Sequence, residues 1–361
     1  MLFYSLIIIF STWLFYISQR LYKKSPLFWV PYLIFIILLS SVGGFRDISV
    51  GYDLDAYGTT FFYNDASYSS LSDLISSLNG EYLYHILNWL CAKIIPEVHS
   101  FLFISEIIKI ILVSSFALRF KEHFNSTLFI FVYLIFFYIL GFNNIRQLLA
   151  FSFVIYAMRF IEEKKFIQYT FFCIIAGLVH STGLAGLLIL PIWYSAYKGI
   201  PFYITIFALS SLYFANELIM QFLIDSGESV YAEKAALYTE TGGEKIPKTN
   251  ILIGLYLFYA FYSFKFKIYM DDVAIRMFKT SLLCYMFFIL LSSVYNIAFR
   301  ISWYFFPWLI YILSNASLKM QNSDRNGFEF GLVFVLIIYY IIYCMQGFEQ
   351  AIPYSSIILG I

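Results

Sequence analysis

The sequence predicts an all-α, polytopic integral membrane protein with about twelve transmembrane helices. Hydrophobic residues make up 61% of the 361 residues and charged residues only 12%, with a mean hydropathy of +0.78. That is too little charge for a soluble domain of this length. The apolar residues form continuous runs and do not alternate with polar ones, so we expect helices to cross the lipid, not barrel strands.

The predicted spans follow the apolar runs in order along the chain, and several are shorter than the roughly 20 residues of an ideal span. They are residues 2–18, 26–42, 101–118, 127–140, 145–161, 166–179, 182–197, 201–218, 250–264, 273–294, 301–313 and 328–344. The first run lacks the basic start and the small-residue cleavage site of a signal peptide, so it is expected to remain as a helix.

The remaining segments complete a single helical membrane domain over residues 1–361. Residues 82–95 are apolar but short, and they are interpreted as a re-entrant or interfacial helix. Residues 43–81 and 220–248 are interpreted as extracytoplasmic loops, and loops of this length are usually functional. The second loop offers four side chains as further substrate contacts: Tyr231, Glu233, Lys234 and Tyr238.

Lysine and arginine set the predicted orientation. Fifteen of these residues fall on one side of the spans and seven on the other. The richer side is assigned to the cytoplasm by the positive-inside rule, which places both termini outside. If residues 82–95 formed a full span, this difference in positive charge between the two sides would be smaller. The charge distribution therefore favours the re-entrant interpretation.

Composition and motifs exclude several classes of protein. A formal net charge of +1 gives no sign of nucleic-acid binding. No P-loop and no glycine-rich dinucleotide motif is present, so nucleotide chemistry is not expected. The cysteines are scattered among apolar residues and the histidines lack ligand spacing, so no metal or cofactor is expected. The one D-x-D pair, Asp53-Leu54-Asp55, is of the kind that metal-dependent sugar transferases use, but arginines can neutralise phosphate without a metal.

Three arginines among the apolar runs are the main indication of function. Arg46, Arg146 and Arg300 all fall on the predicted outer face. An arginine near hydrocarbon costs at least ~2.5 kcal/mol on insertion scales, which favours a functional role. Three of them together predict a site for a multiply charged anion such as pyrophosphate.

Polar residues after the second span extend this prediction. Arg46 is followed by Asp53, Asp55 and Tyr57, a combination suited to an anion and to sugar hydroxyls. The alternative is a solvated interfacial loop with an aromatic belt. Glu81, followed by Tyr82, is a second candidate, although capping of the next helix alone would explain a carboxylate there.

The turn before the fifth span carries a third polar group. Asn143 and Asn144 precede Arg146 and Gln147 at a predicted helix start, where side chains and backbone N–H groups could bind phosphate oxygens. The alternative is a hairpin turn with a snorkelling arginine. Arg300 repeats the pattern, since it follows the polar turn 295–296.

His180 lies between two short apolar runs, at the tip of a predicted helical hairpin. An imidazole there could remove a proton from a hydroxyl group at neutral pH. A lone histidine is more often a hydrogen-bonded structural residue, and both interpretations stay open.

The order of these elements resembles the EpsG-type family of bacterial polysaccharide polymerases, relatives of the Wzy O-antigen polymerases. The likeness covers residues 43–315, and its short motifs are specific in their sequence and spacing together. One departure is Tyr82, since the family often has proline after the glutamate. The motifs are Arg46, Gly51-x-Asp53-x-x-x-Tyr57, Glu81-Tyr82, Arg146-Gln147-x-x-Ala150, the charged turn 162–165, Ala176-x-x-x-His180-Ser181 and Arg300-x-x-x-Tyr304.

The resemblance implies a membrane glycosyltransferase of the GT-C type. Such a protein would join oligosaccharide repeat units carried on undecaprenyl pyrophosphate, at the periplasmic face of the bacterial inner membrane. The donor and acceptor glycans and membrane lipid would be its partners, and a polymerase is expected to meet a chain-length regulator.

On this hypothesis Arg146, Arg300 and Arg46 bind the pyrophosphate and stabilise its growing charge. The proton of the acceptor hydroxyl passes to a base that the sequence leaves open. The candidate bases are His180, Asp53 and Glu81. The candidate substrate contacts are Tyr57, Tyr82, Asn143, Gln147 and Tyr304.

Two other functions are compatible with much of this pattern. An O-antigen ligase would use the same donor with a lipid A-core acceptor. A lipid-linked oligosaccharide flippase would need charge in a cavity reachable from both faces, whereas the arginines gather on one face. Glu106 and Lys109, inside the third predicted span, are explained by neither the polymerase nor its rivals.

Overall fold

The computed structural model describes residues 1–215, 218, 221, 247–347 and 350–361. Throughout these residues the chain is helical, without strands. Most of the predicted loop 220–248, with Tyr231, Glu233, Lys234 and Tyr238, lies outside the described residues. The prediction of an all-α fold is confirmed.

Within the described ranges, six helices are long and apolar enough to cross a membrane, which indicates a polytopic, membrane-embedded protein. They are Leu2–Leu21, Pro26–Gly44, Val98–Arg119, Asp272–Leu291, Asn296–Ser317 and Asn322–Met345. Shorter apolar helices occupy Ser126–Tyr138, Phe166–Val179 and Phe202–Phe214.

The contacts divide the chain into two compact units. The first comprises Met1–Leu184 and Leu336–Ile361, and the second comprises Ala185–Val335. The helices that begin in the first unit are α1 (Leu2–Leu21), α2 (Trp29–Gly44), α3 (Thr60–Ser67), α4 (Leu71–Ser77), α5 (Tyr82–Ile94), α6 (Val98–Arg119), α7 (Ser126–Tyr133), α8 (Ile145–Glu162) and α9 (Phe166–Val179).

The second unit is arranged around one central helix, Asp272–Leu291, against which most of its other helices pack. Stacking of Phe261 on Phe278, with ring centroids 4.7 Å apart, belongs to its core. The helices that begin in this unit are α10 (Ile189–Lys198), α11 (Phe202–Phe214), α12 (Lys248–Ser263), α13 (Asp272–Leu291), α14 (Asn296–Ser302), α15 (Phe306–Ser317) and α16 (Asn322–Met345).

Side-chain caps explain several of the helix starts. Asn125 accepts a hydrogen bond from the backbone N–H of Leu128 at 3.1 Å, which opens α7. Asp271 accepts one from Ala274 at 2.7 Å and opens α13 in the same way. Such caps satisfy backbone donors that the first helical turn leaves unpaired.

The segment between α2 and α5, predicted as a loop, has structure of its own. A π-helical turn at Leu54–Thr59 leads into α3, and α4 follows after a short break. One apolar cluster packs α3 and α5 against α6, and it buries Leu54, Phe62 and Tyr84. Helix α5 is 13 residues long, and its predicted re-entrant or interfacial placement stays a prediction.

A buried ion pair lies inside the membrane-crossing helix α6. Lys109 donates to Glu106 with 2.6 Å between Nζ and Oε1, and each side chain is 2% exposed. Glu106 packs against α2 so closely that a Cβ on Gly43 would come within 2.7 Å of its Cγ. Charged groups buried in an apolar helix are expected to be paired, and here the partners are one helical turn apart.

Candidate functional site

Glu81 stands immediately before α5 in an unusual backbone conformation. Its φ of 55° and ψ of 33° are left-handed, and Gly80 before it has a φ of 142°. A left-handed glutamate is uncommon, and such strain concentrates at functional sites. Its side chain makes no capping hydrogen bond to α5, so capping does not explain the residue. The strained turn therefore directs the carboxylate to other side chains and not to the backbone of α5.

The Glu81 carboxylate contacts Arg146 and His180 at the same time. Oε2 accepts a hydrogen bond from Nη1 of Arg146 at 2.6 Å. Oε1 lies 2.7 Å from Nδ1 of His180. Glu81 is 9% exposed, so a single buried carboxylate joins a cation to an imidazole.

The packing of α8 and α9 explains why both side chains reach Glu81. Arg146 is the second residue of α8, and His180 directly follows the last residue of α9. The two helices pack along each other, and α5 packs on α9. The polar ends of both helices therefore come to the start of α5.

Aromatic rings surround the guanidinium of Arg146. Its Cζ lies 5.5, 4.9 and 5.7 Å from the ring centroids of Tyr57, Phe61 and Tyr84. Cations are attracted to such ring faces. Burial raises the pKa of Tyr84 to about 12, although Arg146 acts in the opposite direction, so the phenol stays neutral at physiological pH.

Arg146 combines this fixed position with access to solvent. Its side chain is 26% exposed, and Glu81 takes one of its five N–H donors. A guanidinium held by a single carboxylate keeps donors for a second anion. The arrangement can therefore bind an anion beside a carboxylate-oriented imidazole.

Arg46 has very different surroundings from Arg146, the other predicted pyrophosphate ligand in the first unit. It is fully buried, and its Nε and Nη2 donate to the carbonyls of Val50 and Phe142 at 3.3 and 2.9 Å. Its Nη1 donates to the carbonyl of Gly43. With its donors on backbone carbonyls and no exposed surface, Arg46 is better explained as a residue that holds the end of α2 than as the predicted pyrophosphate ligand.

Asn143 also contacts the loop after α2. Its Oδ1 accepts a hydrogen bond from the backbone N–H of Asp53 at 3.3 Å. Gly51 lies so near that a Cβ there would come within 2.9 Å of this oxygen, and its φ of 114° also favours glycine. Asn143 is 5% exposed, so this geometry favours a positioning role over the predicted substrate contact.

The other predicted residues of the first unit differ in their access to solvent. Tyr57 and Tyr82 are 48% and 36% exposed, which suits the predicted stacking on sugars. Asp53 is half-buried at the entrance to the π-helical turn. Gln147 is buried, which leaves its side chain little surface for a substrate.

Two predicted residues belong to the second unit. Arg300 is half-buried in the last turn of α14. Tyr304 is buried in the 3-10 turn Trp303–Phe305 that follows. Their predicted roles in binding pyrophosphate and substrate stay predictions.

Phe61 and Tyr84 flank Arg146 but were not among the site residues predicted from the sequence. A signal for Tyr84 was present, since Glu81, Tyr84, His85 and Asn88 recur at the spacing of one helix face. Phe61 lies in a polar segment that predicts a loop, where helical spacing is not expected, although the structure makes it helical. Among the described residues, no group of three or more histidine, cysteine, aspartate or glutamate side chains could hold a metal ion.

Comparison with known proteins supplies the family. Neither the curated proteins nor the solved structures gave a match. The model of the EpsG family matches residues 29–356, nearly the whole chain, and its range contains Glu81, Arg146 and His180. The chain therefore belongs to the EpsG family.

Proposed function

We propose that the protein is a glycosyltransferase that polymerises oligosaccharide repeat units carried on undecaprenyl pyrophosphate, as an O-antigen polymerase does. Membership of the EpsG family and the membrane helices fit a polysaccharide polymerase. The observation that carries the proposal is the contact of Glu81 with both Arg146 and His180. About twelve spans in a GT-C-type arrangement, placed in the bacterial inner membrane with the site facing the periplasm, are part of the same proposal.

Arg146 is the proposed ligand of the pyrophosphate. The leaving group gains negative charge as its bond to the anomeric carbon breaks, and a fixed cation stabilises that charge most when it is greatest. Glu81 and the rings of Tyr57 and Phe61 hold the guanidinium in place before the substrate arrives. Arg300 is the proposed second cation.

His180 is the proposed base. With Glu81 ionised, Nδ1 of His180 carries the proton and donates it to Oε1, so the lone pair is on Nε2. In the proposed step the acceptor oxygen bonds to the anomeric carbon, its proton passes to Nε2, and the bond to the pyrophosphate oxygen breaks. Glu81 is the poorer base because both its oxygens are already engaged, and Asp53 stays an alternative.

Reconstitution tests the function directly. The purified protein would receive undecaprenyl-pyrophosphate-linked repeat units from its own host, without nucleotide sugar. A ladder of products on a gel supports the polymerase. Transfer to a lipid A-core acceptor alone would instead indicate a ligase. Movement of labelled lipid across liposome membranes without any ladder would indicate a flippase and reject the catalytic roles.

Glu81 and His180 are expected to act as a unit in this assay. We expect His180→Ala to lower turnover about 10²–10³-fold, as loss of a general base does. Glu81→Ala should add little to it in the double variant, because residues that act together give non-additive losses. Turnover rates of both single variants and the double variant measure this coupling.

Asp73→Ala is the matched control for the loss of a carboxylate. Asp73 lies in the same outer segment, where its carboxylate accepts hydrogen bonds from Ser69 and Ser70 on an exposed surface. Its replacement should leave turnover near the wild-type value. Losses from Glu81→Ala and His180→Ala that simply multiply in the double variant would show that the two residues act separately.

A further inference from the structure

A second carboxylate–imidazole pair joins α3 to α5, and no step proposed above uses it. Nδ1 of His85 is 2.9 Å from Oδ2 and 3.0 Å from Oδ1 of Asp65. Asn88, one turn further along α5, donates to the same Oδ2 at 3.0 Å. Asp65 is 4% exposed, so the carboxylate is enclosed by its donors.

This pair lies beside the site of Arg146. The ring centroids of His85 and Phe61 are 5.5 Å apart, and the Cζ of Arg146 is 4.9 Å from the same Phe61 centroid. Tyr84 also contacts both His85 and Arg146. Its ring centroid is 5.5 Å from the centroid of His85 and 5.7 Å from the Cζ of Arg146. The cation and the imidazole therefore share two aromatic neighbours, Phe61 and Tyr84.

The hydrogen bonds of Asp65 determine which nitrogen of His85 can accept. Because an ionised carboxylate can only accept hydrogen bonds, the imidazole keeps its proton on Nδ1 and donates it to Asp65, so Nε2 carries the lone pair. Within the described part of the chain Nε2 has no hydrogen-bond partner, and the His85 side chain is 13% exposed. Asn88 already ties Asp65 to α5, so the imidazole is not needed to fix α3 on α5.

Next to His85 lies an aromatic surface of the kind that binds sugar rings. The ring centroids of Tyr57 and Phe61 are 5.9 Å apart, and Tyr57 is 48% exposed. Flat apolar rings next to one oriented polar group are typical of ligand sites that bind an amphipathic molecule. Carbohydrates present apolar ring faces with hydroxyl groups at their edges.

We propose that His85, oriented by Asp65, is a sugar-binding residue that selects the acceptor glycan. Its Nε2 accepts a hydrogen bond from an acceptor hydroxyl while the sugar ring packs on Phe61 and Tyr57. The proposal rests on the proposed function, since it places the acceptor beside Phe61, which also contacts the pyrophosphate ligand Arg146. His85 is a specificity residue in this scheme, and His180 remains the base.

Two separate ligands distinguish the two halves of the site. One probe is the lipid-free repeat-unit oligosaccharide of the host, which lacks pyrophosphate. The other is undecaprenyl pyrophosphate without sugar. His85→Ala should weaken binding of the oligosaccharide about tenfold, the effect of one hydrogen bond, and leave binding of undecaprenyl pyrophosphate unchanged. Arg146→Ala should give the reverse pattern.

Further variants separate binding from structure. His85→Gln keeps an acceptor group and should recover part of the lost affinity, whereas Asp65→Asn should lose affinity because it no longer fixes the tautomer. His99→Ala is the matched control, because Nδ1 of His99 lies 3.0 Å from the carbonyl of Gly44. Thermal unfolding of each variant shows whether it is folded.

Three results would overturn the inference. They are normal oligosaccharide binding by His85→Ala, no oligosaccharide binding by the wild type, and loss of thermal stability in Asp65→Asn with sugar affinity intact. The proposed function fails separately if Arg146→Ala binds undecaprenyl pyrophosphate as well as the wild type does. The two proposals therefore have different tests.

Discussion

Arg146→Ala is expected to lower polymerisation about 10²–10³-fold, the loss typical when one electrostatic contact to a developing charge is removed. The affinity for undecaprenyl pyrophosphate should fall with it. The rate and affinity of Arg146→Lys should lie between those of the wild type and those of Arg146→Ala. Lysine keeps the charge but not the planar set of donors that Glu81 and an anion share. Initial rates with the lipid-linked donor and direct binding of undecaprenyl pyrophosphate measure both effects.

Arg119→Ala is the matched control for this substitution. Arg119 is also paired with a glutamate, since its Nε donates to Glu163 at 2.8 Å, but its side chain is 50% exposed. Its removal should leave rate and binding close to the wild type. If Arg146→Ala polymerised at the wild-type rate, the assignment of Arg146 to the pyrophosphate would be wrong.

Lys109→Met is expected to lower the free energy of unfolding by about 3 kcal/mol, because it leaves the buried Glu106 charge without its partner. Lys109→Met combined with Glu106→Gln should recover part of this loss, since the double variant no longer buries a carboxylate without its lysine, although the buried Arg46 then loses its electrostatic interaction with Glu106. Thermal and denaturant unfolding in detergent measure the two variants against the wild type. The single variant should also express at lower level.

The exposed pair of Arg119 with Glu163 again supplies the control, now for stability. Removing Arg119, in the last turn of the same helix α6, should cost less than about 1 kcal/mol because water screens the pair. Equal losses in the free energy of unfolding from Lys109→Met and Arg119→Ala would show that burial does not determine the effect. A double variant no more stable than Lys109→Met would show that the unpaired Glu106 charge is not the cause of the loss.

The fold class was predictable because it depends on local composition. The continuous apolar runs predicted the helices Leu2–Leu21 and Val98–Arg119 to within a few residues, since a backbone in hydrocarbon must satisfy its hydrogen bonds within the helix. The helices between α2 and α5 were not predicted. Their sequence is polar, and the buried positions Leu54 and Phe62 become a pattern only when α5 and α6 are placed against them.

The candidate site was predictable in its members but not in its contacts. The sequence identified Glu81, Arg146 and His180 as polar residues at the ends of apolar runs. It left capping, snorkelling and structural roles open, because Glu81 is 65 residues from Arg146 and 99 from His180 in the chain. Arg46 and Arg146 have similar sequence contexts, but their contacts differ. The donors of Arg46 are buried and lie on backbone carbonyls.

The sequence by itself determined a helical membrane protein with polar groups at the ends of its helices, because hydropathy and periodicity are properties of neighbouring residues. Only the tertiary structure decided which of these groups meet. It joined Glu81 to Arg146 and His180, paired Asp65 with His85, and buried Arg46. Such pairings depend on how helices distant in the chain pack together, and that packing is not contained in any local pattern.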